Sequence, residues 1–88
     1  MNLKNRIALV TGASRGIGAC TGEFFASRGA RVAVSARTVS DLENLAAKIA
    51  GNGGEALAIT CDVTDQTQVE KMVQTVIRKW GRLAIMVN

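Results

Sequence analysis

Residues 6–18 read RIALVTGASRGIG, and this stretch decides the fold of the 88-residue chain. Residues 7–10 form an uninterrupted apolar run, which is typical of a strand buried on both faces of a parallel sheet. Gly12, Gly16 and Gly18 follow, just as a helical pattern begins. A helix N-terminus offers unpaired N–H groups and a partial positive charge, and glycines let a phosphate come close. The stretch predicts a dinucleotide site; a purely structural turn is the alternative, which the strand–turn–helix context disfavours.

The spacing of the glycines is G-x-x-x-G-x-G rather than the common G-x-G-x-x-G. With Thr11 in front, TGASRGIG resembles the TGxxxGIG signature of the short-chain dehydrogenase/reductase family. The resemblance covers essentially the whole chain and implies an α/β fold with a Rossmann-type doubly wound parallel sheet. It also implies that the turn binds the cofactor through Gly12, Ser14, Arg15, Gly16, Ile17 and Gly18.

Composition indicates one small domain whose partners do not include nucleic acid. The chain carries 11 basic and 7 acidic residues, for a net charge of +4, and its basic residues are scattered rather than clustered. Its three aromatic residues (Phe24, Phe25 and Trp80) are too few for a base-stacking platform. A mildly basic balance equally suits a small polyanionic ligand.

Cysteine usage and hydropathy point to a soluble cytoplasmic protein. Cys20 and Cys61 belong to no C-x-x-C pair, so we expect two buried, unpaired thiols. The chain has no histidine, and a zinc site would therefore lack ligands. The apolar run that ends at Val10 is too short for a signal peptide or a membrane span.

Helical spacing after the glycines predicts a first helix from Ile17 to residue 27 or 28, ended by Gly29. Within it, Phe24 and Phe25 are expected to anchor the helix in the core. Residues 31–36 (RVAVSA) then read as a second strand.

The second half of the chain continues the same alternation. Ser40 and Glu43 have the spacing of a capping box for a helix that ends near residue 50. A strand over residues 55–61 comes next, and Thr64 or Asp65 caps a third helix. That helix ends at Gly81, and a strand over residues 83–87 follows. Its apolar stripe is expected to pack in the core and comprises Val69, Met72, Val73, Val76, Ile77 and Trp80.

The resulting order β-α-β-α-β-α-β predicts a parallel sheet with right-handed crossovers. In the doubly wound order, the first and fourth strands are neighbours, and ligands bind at the carboxyl ends of the strands there. This places the site near Gly12 and Asn88. The first two helices should cover one face of the sheet and the third helix the other.

The residue after the second strand decides which dinucleotide we expect. NAD sites usually carry an acidic residue there, but this chain has Arg37, which suits a 2′-phosphate. The resemblance implies that Arg37 and Arg15 together favour NADP over NAD. A solvated surface arginine is the alternative interpretation of Arg37.

Two further segments match the family. Asp62 and Val63 resemble an Asp-Val pair that seats the adenine ring, although Asp62 alone could simply begin a turn or cap a helix. The segment WGRLAIMVN resembles GxLDxLVNNAG, so Asn88 matches its first Asn and is a candidate cofactor contact. Ala84 replaces the usual aspartate of that segment.

The resemblance also implies what this segment does not contain. Family members add a Ser and a Tyr-x-x-x-Lys set that performs the chemistry, but this chain has no tyrosine, and none of its residues matches a catalytic position. We therefore expect residues 1–88 to be the N-terminal NAD(P)-binding part of a single Rossmann-fold domain. The parent would be an NADP-dependent oxidoreductase, similar to 3-oxoacyl-carrier-protein reductases, that acts on a carbonyl or secondary alcohol and forms a homo-oligomer.

A free-standing, non-catalytic nucleotide-binding module completed by a partner is the alternative. The fourth strand would form an open edge with Leu83, Ile85, Met86 and Val87 poorly covered. We therefore expect the isolated chain to be marginally stable, and a monomeric, sharply cooperative melt without ligand would contradict this.

Overall fold

The computed structural model describes residues 2–13 and 16–87, and within them strands and helices alternate as the sequence predicts. The elements are β1 (Ile7–Thr11), α1 (Gly16–Ser27), β2 (Arg31–Ala36), α2 (Val39–Gly51), β3 (Glu55–Thr60), α3 (Gln66–Trp80) and β4 (Ile85–Val87). The two later strands are shorter than predicted, because residue 61 and residues 83–84 lie outside the regular pairing.

All four strands lie parallel in one sheet of order β3-β2-β1-β4. In register, Ile7 is opposite Arg31, and Val10 is opposite both Val34 and Val87. Every residue of β1 is buried, as expected for a central strand with neighbours on both sides and helices on both faces. The adjacency of β1 and β4 confirms the doubly wound order and creates a switch point between them.

The helices cover the two faces of the sheet as predicted, and the strand residues alternate between two apolar clusters. On one face Val10, Val32 and Val34 pack with residues of α1 and α2, including Phe25, Leu42, Leu45 and Ile49. On the other face Ile7, Leu9 and Ala33 pack with Met72, Val76 and the partly buried Trp80 of α3. Each apolar side chain buried in this way contributes about 2 kcal/mol to the free energy of unfolding, and these contributions stabilise both layers.

Local chemistry ends α3 as predicted, but it does not start α2 as predicted. Gly81 ends α3 with a φ of 87°. The predicted capping box of α2 is wrong, since the helix begins at Val39 and Thr38 is its N-cap, with no side-chain capping bond. Ser40 consequently lies inside the first turn, where its hydroxyl cannot act as the cap.

Three predictions of burial are also wrong. Phe24 is 44% exposed, because adjacent residues on a helix point about 100° apart and only Phe25 faces the sheet. The guanidinium of Arg28 lies 5.3 Å from the centroid of the Phe24 ring instead. Ile77, at the flank of the α3 stripe, is 44% exposed. Cys61 is buried as predicted, but Cys20 is exposed on α1.

Strand β4 lies at the end of the sheet, and its side chains are only partly covered. Ile85 and Val87 are half-buried, and Met86 is exposed. Among the helices of the described residues, none has the length and apolar character needed to span a membrane.

Replacing Asp65 by alanine should destabilise the chain by about 1 kcal/mol. Its carboxylate accepts hydrogen bonds from the backbone N–H groups of Thr67 (3.0 Å) and Gln68 (3.3 Å) at the start of α3. Urea unfolding followed by circular dichroism measures the change. Ser40→Ala is the matched control and should leave the free energy of unfolding nearly unchanged; equal losses in both variants would contradict the assigned caps.

Candidate functional site

Hydrogen bonds tie together the carboxyl ends of all four strands at the switch point. The hydroxyl of Thr11 donates to the carbonyl oxygen of Val87 (3.2 Å), which links β1 to β4. The N–H of Ala13 donates to the carbonyl of Ser35 (2.9 Å), which links the turn after β1 to β2. The N–H of Cys61 donates to the carbonyl of Ala36 (3.0 Å), so the chain after β3 stays beside the end of β2. The loops that follow β1, β2 and β3 therefore form one connected rim with the end of β4.

The glycine turn on this rim is shaped by two left-handed residues. Gly12 and Gly16 both have a φ of 64°, a conformation that favours glycine. A Cβ built on either of them would meet no described atom within 4 Å. Among residues 2–13 and 16–87, no packing fills the space beside these two glycines, which leaves their backbone open to a ligand on that side.

Gly18 has the opposite surroundings. A Cβ on this residue would collide with the carbonyl oxygen of Gly12, and it would stand 2.9 Å from the carbonyl carbon of Gly12 and 3.1 Å from Cα of Ala13. The absence of a side chain at Gly18 thus lets the first turn of α1 pack directly on the turn after β1. This close approach fixes where the N-terminus of α1 lies relative to β1.

The sequence analysis missed Gly22, which extends the same packing. A Cβ there would lie 3.3 Å from Cγ1 of Val34, so glycine allows α1 to sit close to β2. Its position four residues after Gly18, on the same helical face, is the signal that marks it.

A cleft of about 240 Å³ opens on the rim beside the turn. Its lining residues are Gly12, Ala36, Arg37, Thr38, Cys61 and Val63. The structure thus brings together three of the predicted site residues, one from each of the loops after β1, β2 and β3.

Asp62, a fourth predicted residue, contacts Arg37 directly. Nη2 of Arg37 lies 3.1 Å from Oδ1 of Asp62, and the two side chains are 69% and 38% exposed. The same oxygen accepts hydrogen bonds from the backbone N–H (2.9 Å) and the hydroxyl (2.7 Å) of Thr64. Asp62 therefore begins a turn, whereas Asp65 rather than Asp62 caps α3. The contact of Asp62 with adenine stays a prediction.

The remaining predicted residues are placed unevenly. Ile17 is 87% exposed in the first turn of α1. Ser14, Arg15 and Asn88 lie outside the described residues.

Ser35, near the end of β2, was also missed by the sequence analysis. It is fully buried, and its Oγ has no hydrogen-bond partner within residues 2–13 and 16–87. The register places it beside Thr11 of β1 and Ile59 of β3. A serine at the end of an otherwise apolar strand is the only signal the sequence offers for it.

The pKa of Asp62 lies below its ordinary value of 3.8. The hydroxyl of Thr64 is the largest cause, its backbone N–H is the next, and Arg37 contributes further, all of which outweigh the opposing effect of desolvation. The carboxyl is consequently ionised at neutral pH.

This lowered pKa predicts a loss of stability in acid. Because the folded-state pKa is below the unfolded one, Asp62 stabilises the fold above about pH 3.8, and this contribution disappears as the pH falls through the folded pKa. Urea unfolding at several pH values should show a weaker acid dependence in Asp62→Asn than in the wild type. An identical pH dependence in the two proteins would contradict the prediction.

The sheet order, the crossovers on both faces and the glycine turn at the switch point define a Rossmann-type α/β protein. More particularly, the sequence model for short chain dehydrogenases matches residues 6–88, and the chain belongs to that family.

Among its relatives is the short-chain dehydrogenase/reductase homolog YusS of Bacillus subtilis. It is 42% identical over 89 residues, which cover 100% of this chain and 82% of YusS. Other relatives are longer: the chain spans 36% of the uncharacterized oxidoreductase Lmo0432 of Listeria monocytogenes, with 38% identity.

Solved structures agree with the fold over almost the whole chain. A metagenomic short-chain oxidoreductase in complex with NADP is 37% identical, with a TM-score of 0.91 over 96% of this chain and 38% of its own. A 7α-hydroxysteroid dehydrogenase complexed with NADH and 7-oxo glycochenodeoxycholic acid is 33% identical, with a TM-score of 0.96 over 99% of this chain and 34% of its own. One of these similar structures thus contains NADP and the other contains NADH.

Proposed function

We propose that the chain is the N-terminal cofactor-binding part of an NADP-dependent oxidoreductase that interconverts a carbonyl and a secondary alcohol by hydride transfer. The observation that carries this proposal is the cleft in which Gly12, Arg37 and Val63 meet at the switch point. Membership in the short chain dehydrogenase family supports the reaction class.

The residues around the cleft fit the parts of NADP. The open space beside Gly12 and Gly16 suits the pyrophosphate, since α1 begins there and its first N–H groups have no helical partners. Arg37 suits the 2′-phosphate, and Asp62 with Val63 suits the adenine. By resemblance, Ser14, Arg15, Ile17, Gly18 and Asn88 complete the cofactor contacts.

The preference for NADP over NAD rests on Arg37. No carboxylate occupies the residue after β2, where an NAD site usually has one. The similar structures include complexes with NADP and with NADH, so they support a nicotinamide dinucleotide without choosing between the two.

When bound, the dinucleotide would supply or accept the hydride, and residues 1–88 would hold and orient this cofactor. The chain has neither tyrosine nor histidine to serve as the usual acid or base. In the parent protein we assign proton transfer to the Ser and Tyr-x-x-x-Lys set of the family. We further propose a small carbonyl or alcohol substrate, a homo-oligomeric assembly and a cytoplasmic location.

A second candidate is a free-standing nucleotide-binding module completed by a partner. It is favoured by YusS, 82% of which this chain covers, and by the outer edge of β4, which pairs with no described strand. The reading frame beyond Asn88 separates the candidates. Continuation into Asn-Ala-Gly and a later Tyr-x-x-x-Lys supports the enzyme, whereas a stop codon supports the module.

Titration with NADPH tests the binding that both candidates share. We expect the fluorescence of the reduced nicotinamide to change on binding, NADP⁺ to compete, and NADH to bind more weakly. Duplex DNA should not compete with NADPH. If the chain did bind DNA, its affinity for DNA would fall steeply as the salt concentration rises. A chain that is folded by circular dichroism and binds neither dinucleotide would overturn the proposal.

A further inference from the structure

We propose that Asp62 is a positioning residue for Arg37, and that it thereby helps to set the preference for a dinucleotide with a 2′-phosphate. This inference rests on the proposed function and deepens it. It assigns Asp62 a role in specificity in addition to its proposed contact with adenine.

Asp62 is held firmly enough to serve as an anchor. Its Oδ1 receives the N–H and the hydroxyl of Thr64, and its own backbone N–H donates to Oε1 of Gln68 at 2.9 Å. The Thr64 contacts attach the carboxylate to the turn before α3, and the Gln68 contact attaches the backbone of Asp62 to the first turn of that helix. Asp62 thus has its orientation fixed by neighbours other than Arg37.

Arg37, in contrast, depends on Asp62 for its orientation. Its side chain is 69% exposed, and its bond to Asp62 is the one side-chain hydrogen bond that it makes within the described part of the chain. An exposed arginine without a partner loses rotamer freedom when it binds a phosphate. Since the Asp62 contact already restrains the guanidinium at the cleft, part of that entropy cost is removed before the ligand arrives.

The contact leaves Arg37 able to bind a phosphate. A guanidinium has five N–H donors, and only Nη2 contacts Asp62. The other donors remain for a 2′-phosphate. On the carboxylate, all three bonds converge on Oδ1, so Oδ2 has no partner among residues 2–13 and 16–87 and remains open to the adenine amino group.

The ratio of the dissociation constants for NAD⁺ and NADP⁺ isolates this role. Both dinucleotides contain adenine, so a lost adenine contact weakens both and cancels in the ratio. Only an effect transmitted through Arg37 to the 2′-phosphate changes the ratio. Exposed ion pairs are worth little, so we expect Asp62→Ala to lower the preference for NADP⁺ about threefold to fivefold.

The experiment measures both constants by calorimetry in the wild type and in five variants, one of which is a double variant. Thr64→Val is the matched control: it removes only the hydroxyl donor to Oδ1 and keeps both the backbone N–H bond that anchors the carboxylate and the Arg37–Asp62 pair, so its ratio should equal that of the wild type. Asp62→Asn keeps an acceptor oxygen and should recover part of the preference lost in Asp62→Ala. In Arg37→Ala, adding Asp62→Ala should not change the ratio further.

An unchanged or increased preference for NADP⁺ in Asp62→Ala would overturn the inference, because the carboxylate would then be neutral or would compete with the phosphate. An equal loss in Thr64→Val would also overturn it, since the turn rather than the ion pair would be responsible. Either result with a wild type that binds NADP⁺ leaves the proposed function intact. A folded wild type that binds neither dinucleotide overturns both proposals.

Discussion

Replacing Gly18 by alanine is expected to destabilise the chain by about 2–3 kcal/mol and to abolish dinucleotide binding. The added Cβ would collide with the carbonyl oxygen of Gly12 and crowd Cα of Ala13. These are backbone atoms, so no side-chain rotation relieves the clash. The first turn of α1 would have to move away from the end of β1, and its N–H groups would no longer face the pyrophosphate position. Urea unfolding and NADPH titration measure the two effects.

Gly51→Ala is the matched control for this substitution. Gly51 is the last residue of α2, and a Cβ there would meet no described atom within 4 Å. We expect this variant to be as stable as the wild type or up to about 1 kcal/mol more stable, because alanine loses less backbone entropy in a helix. Wild-type stability and NADPH affinity in Gly18→Ala would show that the close packing of α1 on the turn is not required.

The order and the approximate bounds of the elements could be predicted because each has a strong local signal. Each signal can be recognised without knowledge of the rest of the fold. Examples are the apolar run of β1, the apolar stripe of α3 and Gly81, which ends α3. The start of α2 could not be predicted, since Ser40 and Glu43 match a capping box even though the helix begins two residues earlier than that box implies. The prediction that Phe24 is buried was wrong for a related reason. In this Phe-Phe pair only one ring faces the sheet, and the sequence does not indicate which of the two it is.

The sequence indicates the candidate site residues one at a time, but it does not indicate the contacts between them. Arg37 and Asp62 were assigned to different parts of the cofactor because they lie 25 positions apart. Their contact depends on the register of β2 and β3, which pairs Ala36 with Thr60 and so brings the following loops together. The packing of Gly22 on Val34 likewise depends on how close α1 lies to β2. Neither distance is encoded in a local pattern.

Arg37→Asp should shift the preference from NADP⁺ toward NAD⁺ by a factor on the order of 100. The change removes the charge-assisted hydrogen bonds to the 2′-phosphate and adds a carboxylate that repels this group. The same carboxylate can accept hydrogen bonds from the ribose hydroxyls of NAD⁺, which the guanidinium cannot. Weaker binding of NADP⁺ and tighter binding of NAD⁺ both change the ratio of dissociation constants in the same direction. Calorimetric titration with each dinucleotide measures this ratio.

Arg6→Asp separates this local effect from the change in net charge. Arg6 is also exposed, and its replacement by aspartate changes the net charge of the chain by the same amount as Arg37→Asp. Arg6 precedes β1, however, and therefore lies at the amino end of the sheet, opposite the rim that carries the cleft. We expect it to weaken the binding of both dinucleotides only slightly and to leave the ratio nearly unchanged, because solvent and salt screen an exposed charge at the opposite edge of the sheet. If both arginine variants gave the same ratio as the wild type, Arg37 would be a solvated surface residue. The preference would then have to come from residues other than Arg37.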